Sequence, residues 1–425
     1  MPPRPAGCCA APGGHCGASW EDDMAGLAQD RSAPRILAVS HESLLYGAPR
    51  SLTMICAYMQ GRARMRMLTF GAGDLVGFAR GQGLDLRILN ACDRIPDPTR
   101  PRLAYRIQQN WLRLQRRICA MAVFLGLLAE VRRADLVYVN TVLRAAPVWA
   151  ARLMRRPVVL HVREAENYLC PRGAWQRWRL RSVLGSASRV ICVSEAVRQL
   201  VLDVPGTGLT PAHVHTVYNG IDAGDFAPDS GARADFRAAH GIPADAPVAC
   251  FVGNMRPRKG LDLFLRAATA LRAEFPQAHF VVAGGTEDDV AAFRRDHVPA
   301  DLAPAVHFLG FVQDVRPVLW GADVFAMLSR CEPFARVNLE ASAAGCAVVA
   351  TAVDGNVEIF EDEANALVIP PDDLSATVTA LRRLLSDAKL RARLAGQARA
   401  VVTDRFTLAA CHDRVAEILI GEARG

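Results

Sequence analysis

Lysine is almost missing from this chain of 425 residues: Lys259 and Lys389 are the only two, and every other cation is an arginine. A bias of that kind reflects base composition more than chemistry, and it makes the lysine at 259 worth noticing. A long hydrophobic run is missing too. The longest, Ile118 to Ala129, is too short to cross a bilayer and is flanked by Arg117 and Glu130. Residues 1–33 have no apolar core of the secretory kind and read as a disordered leader. The twelve cysteines show no metal-ligand spacing, and in a chain this long they read as reduced thiols. Aromatic residues do not interleave with the basic ones, so the net charge of +7 gives no support to nucleic-acid binding. It admits smaller anionic partners or an anionic membrane surface. The expectation is a cytoplasmic protein that can touch the inner face of a membrane.

What is present is a rhythm. RILAVS (35–40), RMRMLTF (64–70), DLVYVN (135–140), PVVLHV (157–162) and RVICVS (189–194) are short apolar runs, each followed by an amphipathic stretch. That alternation predicts parallel βαβ units. A loop-rich break spans 203–246. The rhythm then restarts with PVACFVG (247–253), HFVVAGG (279–285), VHFLG (306–310), DVFAML (323–328) and AVVAT (347–351). Two doubly wound α/β domains facing a central cleft are expected, with ligands beyond the carboxyl ends of the strands. We place them at 34–205 and 206–405. A last helical segment, 406–425, is expected to pack back on the first domain.

Several stretches carry chemistry. In RCEPFARVNLEASAAG (330–345), Glu332 and Glu340 stand eight residues apart around Pro333, which suits a first helical turn. A helix start offers free N–H groups and the positive end of a dipole, a natural seat for phosphate. The two acids could then grip hydroxyls at either end of a diphosphate, although two exposed helix acids would read the same way. In VGNMRPRKGLDLF (252–264), Gly253 ends a strand, and Arg256, Arg258 and Lys259 crowd a helix start. Cations there oppose the dipole unless an anion arrives. SHESLLYGAPRSL (40–52) places Gly47 where backbone can approach a phosphate, yet neither G-x-G-x-x-G nor a Walker loop occurs. AVDGNVEIFEDEANALVIPPDD (352–373) has Gly355 in a turn and Glu358 opening a short helix. LHVREAENY (160–168) gathers His161, Arg163, Glu164 and Glu166 at a strand end. His161 reads equally well as a packed histidine.

Taken jointly, NGID-x3-F, VG-x5-KG, LSRCEPF-x4-LEA and DGNVE resemble the retaining glycosyltransferases of the GT-B fold, family 4 type, over roughly 213–405. The resemblance implies transfer of a sugar from a nucleotide diphosphate sugar to a hydroxyl acceptor, glycan or lipid-linked, with retention and without a metal or other cofactor. It implies a place in bacterial polysaccharide or glycolipid synthesis. Glu332 would then hold donor sugar hydroxyls, Glu340 the ribose and Lys259 the pyrophosphate. Backbone amides from Phe334 through Ala335 and Arg336 to Val337 would cradle the distal phosphate. The chain departs from the family at three places. Asn254 stands where an arginine usually follows the loop's first glycine, leaving Arg256 or Arg258 to replace it. Ala335 stands where glycine is common. The family's first-domain histidine aligns near Arg163, two residues past His161, and both are candidates. An epimerase or phosphorylase of the same fold, or a binding protein without catalysis, would use the same donor groups.

Overall fold

The computed structural model describes residues 32–45, 47–89, 102–164 and 166–425, without the side chains of 102–110, 112, 113, 116, 166 and 167. The leader expected over 1–33 lies outside the described residues up to 31, and so does the side chain of Glu166.

The first sheet is built from β1 (Arg35–Val39), β2 (Arg64–Thr69), β3 (Asp85–Ile88), β4 (Leu136–Val139), β5 (Val158–Val162), β6 (Arg189–Cys192) and β7 (Val214–Thr216). The second is built from β8 (Val248–Val252), β9 (His279–Ala283), β10 (Val306–Gly310), β11 (Val324–Met327), β12 (Ala347–Thr351) and β13 (Leu367–Ile369). The orders are β3-β2-β1-β4-β5-β6-β7 and β10-β9-β8-β11-β12-β13, with parallel pairing in both. The central strands β4, β5, β11 and β12 are buried along their whole length. Helices cover both faces of each sheet, so these strands read as continuous apolar runs rather than alternating ones. Each order reverses once, between β1 and β4 and between β8 and β11. A crevice opens at such a switch point, outside the strands' carboxyl ends.

Two strands had no clear signature in the sequence. The short β3 is only half-buried, and β7 pairs with β6 through Val190 and Val214. The first sheet therefore runs to Thr216, past the boundary expected at 205. The C-terminal helices are Leu374–Ser386, Ala388–Arg405 and Leu408–Arg424. The second of them ends at its C-cap Phe406, after which the Thr407 hydroxyl caps the last helix by accepting from the Ala410 amide. That helix lies on the first sheet. Val415 and Leu419 share a core with Ile36 and Tyr138, and Asp413 accepts from Tyr58 Oη at 2.7 Å and from Arg62 at 3.0 Å. Among the described residues Cys56, Cys192, Cys250, Cys346 and Cys411 are free thiols, whereas Cys119 is disulfide-bonded, contrary to the expectation of reduced thiols throughout.

Candidate active site

Three neighbouring strand ends interlock in the second domain. Gly260 (φ +74°) follows β8, and a Cβ there would lie 2.1 Å from the Leu328 carbonyl oxygen after β11, so the close approach requires glycine. The Arg330 amide donates to the Arg258 carbonyl at 2.7 Å, which ties the two loops together. That contact brings Lys259 to Glu332, whose Oε2 accepts from the lysine Nζ. The same oxygen accepts from Ser329 Oγ at 3.2 Å and lies 3.6 Å from Arg258. The loop after β12 completes the lock. Asp354 Oδ2 accepts from the Glu332 amide at 2.8 Å, and the Gly355 amide donates to the Glu332 carbonyl at 3.1 Å. A Cβ on Gly355 would sit 2.2 Å from the Pro333 carbonyl oxygen. Of the two candidate arginines, Arg258 reaches the cluster. Arg256 is exposed, and its charge acts on Asp289 instead. Gly253 closes β8 by donating to the Ala283 carbonyl, and Asn254 beside it is exposed.

The helix after Glu332 begins later than expected. It spans Arg336–Ala343, with Ala335 at its N-cap and no side chain capping it. Gly355 packs on the Pro333 carbonyl and Asn219 Nδ2 donates to the Phe334 carbonyl at 3.1 Å, which hold 333–335 outside the helix. Glu332 therefore precedes the helix by four residues, and Glu340 lies just over one turn in. The side chain of Phe334 is buried against Tyr218 and Phe406, leaving its backbone for the cleft. Ala335 is also buried, and Val337 is half-buried. Glu340 keeps 16% of its side chain exposed, 3.7 Å from Arg336. Burial raises its carboxyl above the ordinary value, while Arg336 and Arg50 pull it down. Burial likewise lowers the Arg336 guanidinium, and its Nε has no hydrogen-bond partner. Glu358, expected to open a helix, lies in a turn after the short 3-10 segment Asp354–Asn356.

The first domain faces this cluster with its own switch point. Gly47 starts the helix Gly47–Tyr58, and a Cβ there would meet no protein atom within 4 Å, so packing does not demand glycine. Arg163 stands at the centre. Its Nε donates to Asn140 Oδ1 and its Nη1 to Asn219 Oδ1, both at 2.7 Å. His161 is not open to the cleft. It is 1% exposed, its Nδ1 is 2.6 Å from Tyr138 Oη, and burial lowers its pKa well below the ordinary value. Its strand is buried at every residue, and the imidazole lies beneath Arg163, whose Nη2 is 3.5 Å from His161 Nδ1. Glu164 is buried as well, accepting from Thr141 Oγ1 and from the Arg163 amide.

Sequence reasoning missed the groups that join the halves. Asn219 bridges Arg163 and the Phe334 carbonyl. Glu358 crosses to the first domain and accepts from the Glu195 and Ala196 amides, both at 2.9 Å, at the start of the helix Glu195–Leu202. The turns containing both residues were visible in the sequence, but neither partner was.

The profile described as "Glycosyltransferase Family 4" matches residues 47–225, and "Glycosyl transferases group 1" matches 232–401. The chain belongs to the group 1 glycosyltransferases. HepE of Anabaena, solved with UDP and glucose, superposes with a TM-score of 0.75 at 20% identity, covering 91% of this chain and all of that one. WaaG, a glycosyltransferase of lipopolysaccharide biosynthesis, gives 0.65 at 18%, with 91% and 100% covered. The fold is GT-B. A D-inositol 3-phosphate glycosyltransferase of Kineococcus radiotolerans is 35% identical over 51% of this chain and 54% of its own length. A GDP-mannose-dependent phosphatidylinositol monomannoside mannosyltransferase of Mycolicibacterium smegmatis is 31% identical over 58% and 66%. The chain thus spans about half the length of the curated relatives it matches first.

Proposed function

We propose that this group 1 glycosyltransferase moves a sugar from a nucleoside diphosphate sugar to a hydroxyl acceptor, glycan or lipid-linked, with retention of configuration. The observation that carries the reading is the Lys259–Glu332 pair beside the uncapped start of the helix Arg336–Ala343. An ammonium, a neighbouring guanidinium and free helix N–H groups meet at one place, where a diphosphate can be bound and its departing charge stabilised. In the reaction the bond between anomeric carbon and phosphate oxygen breaks, and a bond from the acceptor oxygen to that carbon forms. The acceptor's proton goes to the leaving phosphate on the same face. Lys259 and Arg258 neutralise that phosphate. Glu340 takes ribose hydroxyls, and Glu332 takes sugar hydroxyls once Lys259 turns to the phosphate. Arg163, held by two asparagines, supplies fixed positive charge from the acceptor side.

The activities named for the relatives support a donor of this type and an acceptor bearing phosphate or lipid. A thermal-stabilisation screen against nucleotide sugars identifies the donor. Proton NMR of the early product with that donor then tests the rest. Retention of the donor's anomeric configuration is expected, and the opposite anomer would refute it.

A further inference from the structure

We propose that the outer face of the helix Arg102–Arg133 docks on an anionic lipid bilayer. Trp111, Leu114, Ile118, Met121 and Leu125 are each between 49% and 61% exposed. Their spacing alternates three and four, which places all five on one side of the helix. Single exposed apolar residues need no explanation, whereas a continuous stripe marks an interaction surface. Among the described residues its core packing is at the far end, where Leu127 and Val131 are buried with Phe124 and Leu128 packed against the same core, and Cys119 ties the middle through a disulfide. The helix feeds β4 after two residues and runs against the strand direction. Its N-terminal part therefore lies at the strands' carboxyl ends, on the same side as the cleft.

Charge selects the occupant. From Arg102 to Ala129 the sequence holds Arg102, Arg106, Arg113, Arg116 and Arg117 and no acid. The first acid, Glu130, is buried and paired with Arg66. Two copies meeting through this segment would each bring only positive charge, with no acid between 102 and 129 to pair it. An anionic bilayer complements both the apolar stripe and its cations, the arrangement of an interfacial helix. Trp175 and Trp178 add exposed aromatic surface to the same domain. They are stacked at 4.7 Å between centroids, both are exposed, and their helix Ala174–Leu184 reaches the long helix through Ala145–Leu153. Tryptophan favours the bilayer interface. The inference stands without the sugar-transfer reading, since it is tested by binding alone.

The test is co-sedimentation of the full chain with vesicles of phosphatidylcholine, with or without phosphatidylglycerol, at low and high salt. The wild type is expected to bind the phosphatidylglycerol vesicles, and less well as salt rises. Ile118→Glu combined with Leu125→Glu should weaken that binding by at least about tenfold, since each apolar side chain leaving water is worth roughly a decade or more. Arg117→Glu should weaken it too, and far-UV circular dichroism of both variants should be unchanged. A wild type that ignores anionic vesicles, or a double variant that binds them equally well, overturns the proposal. So does a double variant that turns a dimer into a monomer while leaving vesicle binding intact.

Discussion

Replacing Glu332 by glutamine and Glu340 by glutamine should move diphosphate affinity in opposite directions. Without ligand, Glu332 already neutralises Lys259, and their side chains are only 7% and 12% exposed. The carboxylate occupies the ammonium that a phosphate needs. Glutamine keeps the shape and can still meet Ser329 but removes the charge. Taking away a unit negative charge about 5 Å from a phosphate is worth up to about 3 kcal/mol at an effective dielectric of about 20. At about 1.4 kcal/mol per decade, a nucleoside diphosphate should bind tighter by as much as roughly two decades. Glu340 has no such lysine, and its charge is held against the cost of burial. Glu340→Gln removes a charge-assisted hydrogen bond to ribose worth roughly 1.5–3 kcal/mol, which means about 10- to 150-fold weaker binding. Sugar transfer should fall in both, because Glu332→Gln loses orientation at the reacting carbon. Calorimetry with the diphosphate and turnover with the intact donor measure the two effects. If Glu332→Gln weakens diphosphate binding, or leaves transfer intact, the competition between carboxylate and phosphate for Lys259 is refuted.

Gly355→Ala should abolish transfer, because its Cβ would meet the Pro333 carbonyl at 2.2 Å and displace the loop that seats the helix start. Turnover near wild type would show that this loop's position is immaterial. Glu358→Ala removes the acceptor for two amides across the cleft, a loss of about 1 kcal/mol by analogy with helix caps. Faster hydrogen exchange at Glu195 and Ala196 is expected, and unchanged exchange would deny the bridge in solution. Burial lowers His307 and His412 from 6.5 to about 4, with the neighbouring histidines His279 and His240 adding to the shift at His307. The fold keeps both neutral while the unfolded chain takes up protons, so stability is full above pH 6.5 and is lost as pH falls toward 4. Thermal melts across that window should show the decline, and a flat profile contradicts it. Because Lys259, Arg258 and the helix start supply positive charge, transfer should survive EDTA. Loss of activity restored by magnesium or manganese would refute that reading.

The strands were legible because a parallel strand buried on both faces must be a short apolar run, and VVLHV or AVVAT can be little else between helical stretches. The half-buried β3 and the three-residue β7 lack that signature, and only pairing with a neighbour defines them. Much of the candidate site was also visible: the single lysine before a glycine, two glutamates eight apart, and a glycine turn after the next strand.

What the sequence alone determined is local, being set by chemistry within a few residues. Burial follows from apolar runs, a turn from glycine, a cap from Thr407. Tertiary structure decided which of these residues meet. Lys259 reaches Glu332 across 73 residues because strand order sets β8 beside β11. The same lock selects Arg258 over Arg256. Pro333 could have opened the helix as well as Arg336 did, until contacts with Asn219 and Gly355 held the intervening backbone outside it. His161 was ambiguous for the same reason, since its strand gives no partner for the imidazole and only the packed sheet sets Tyr138 Oη against it.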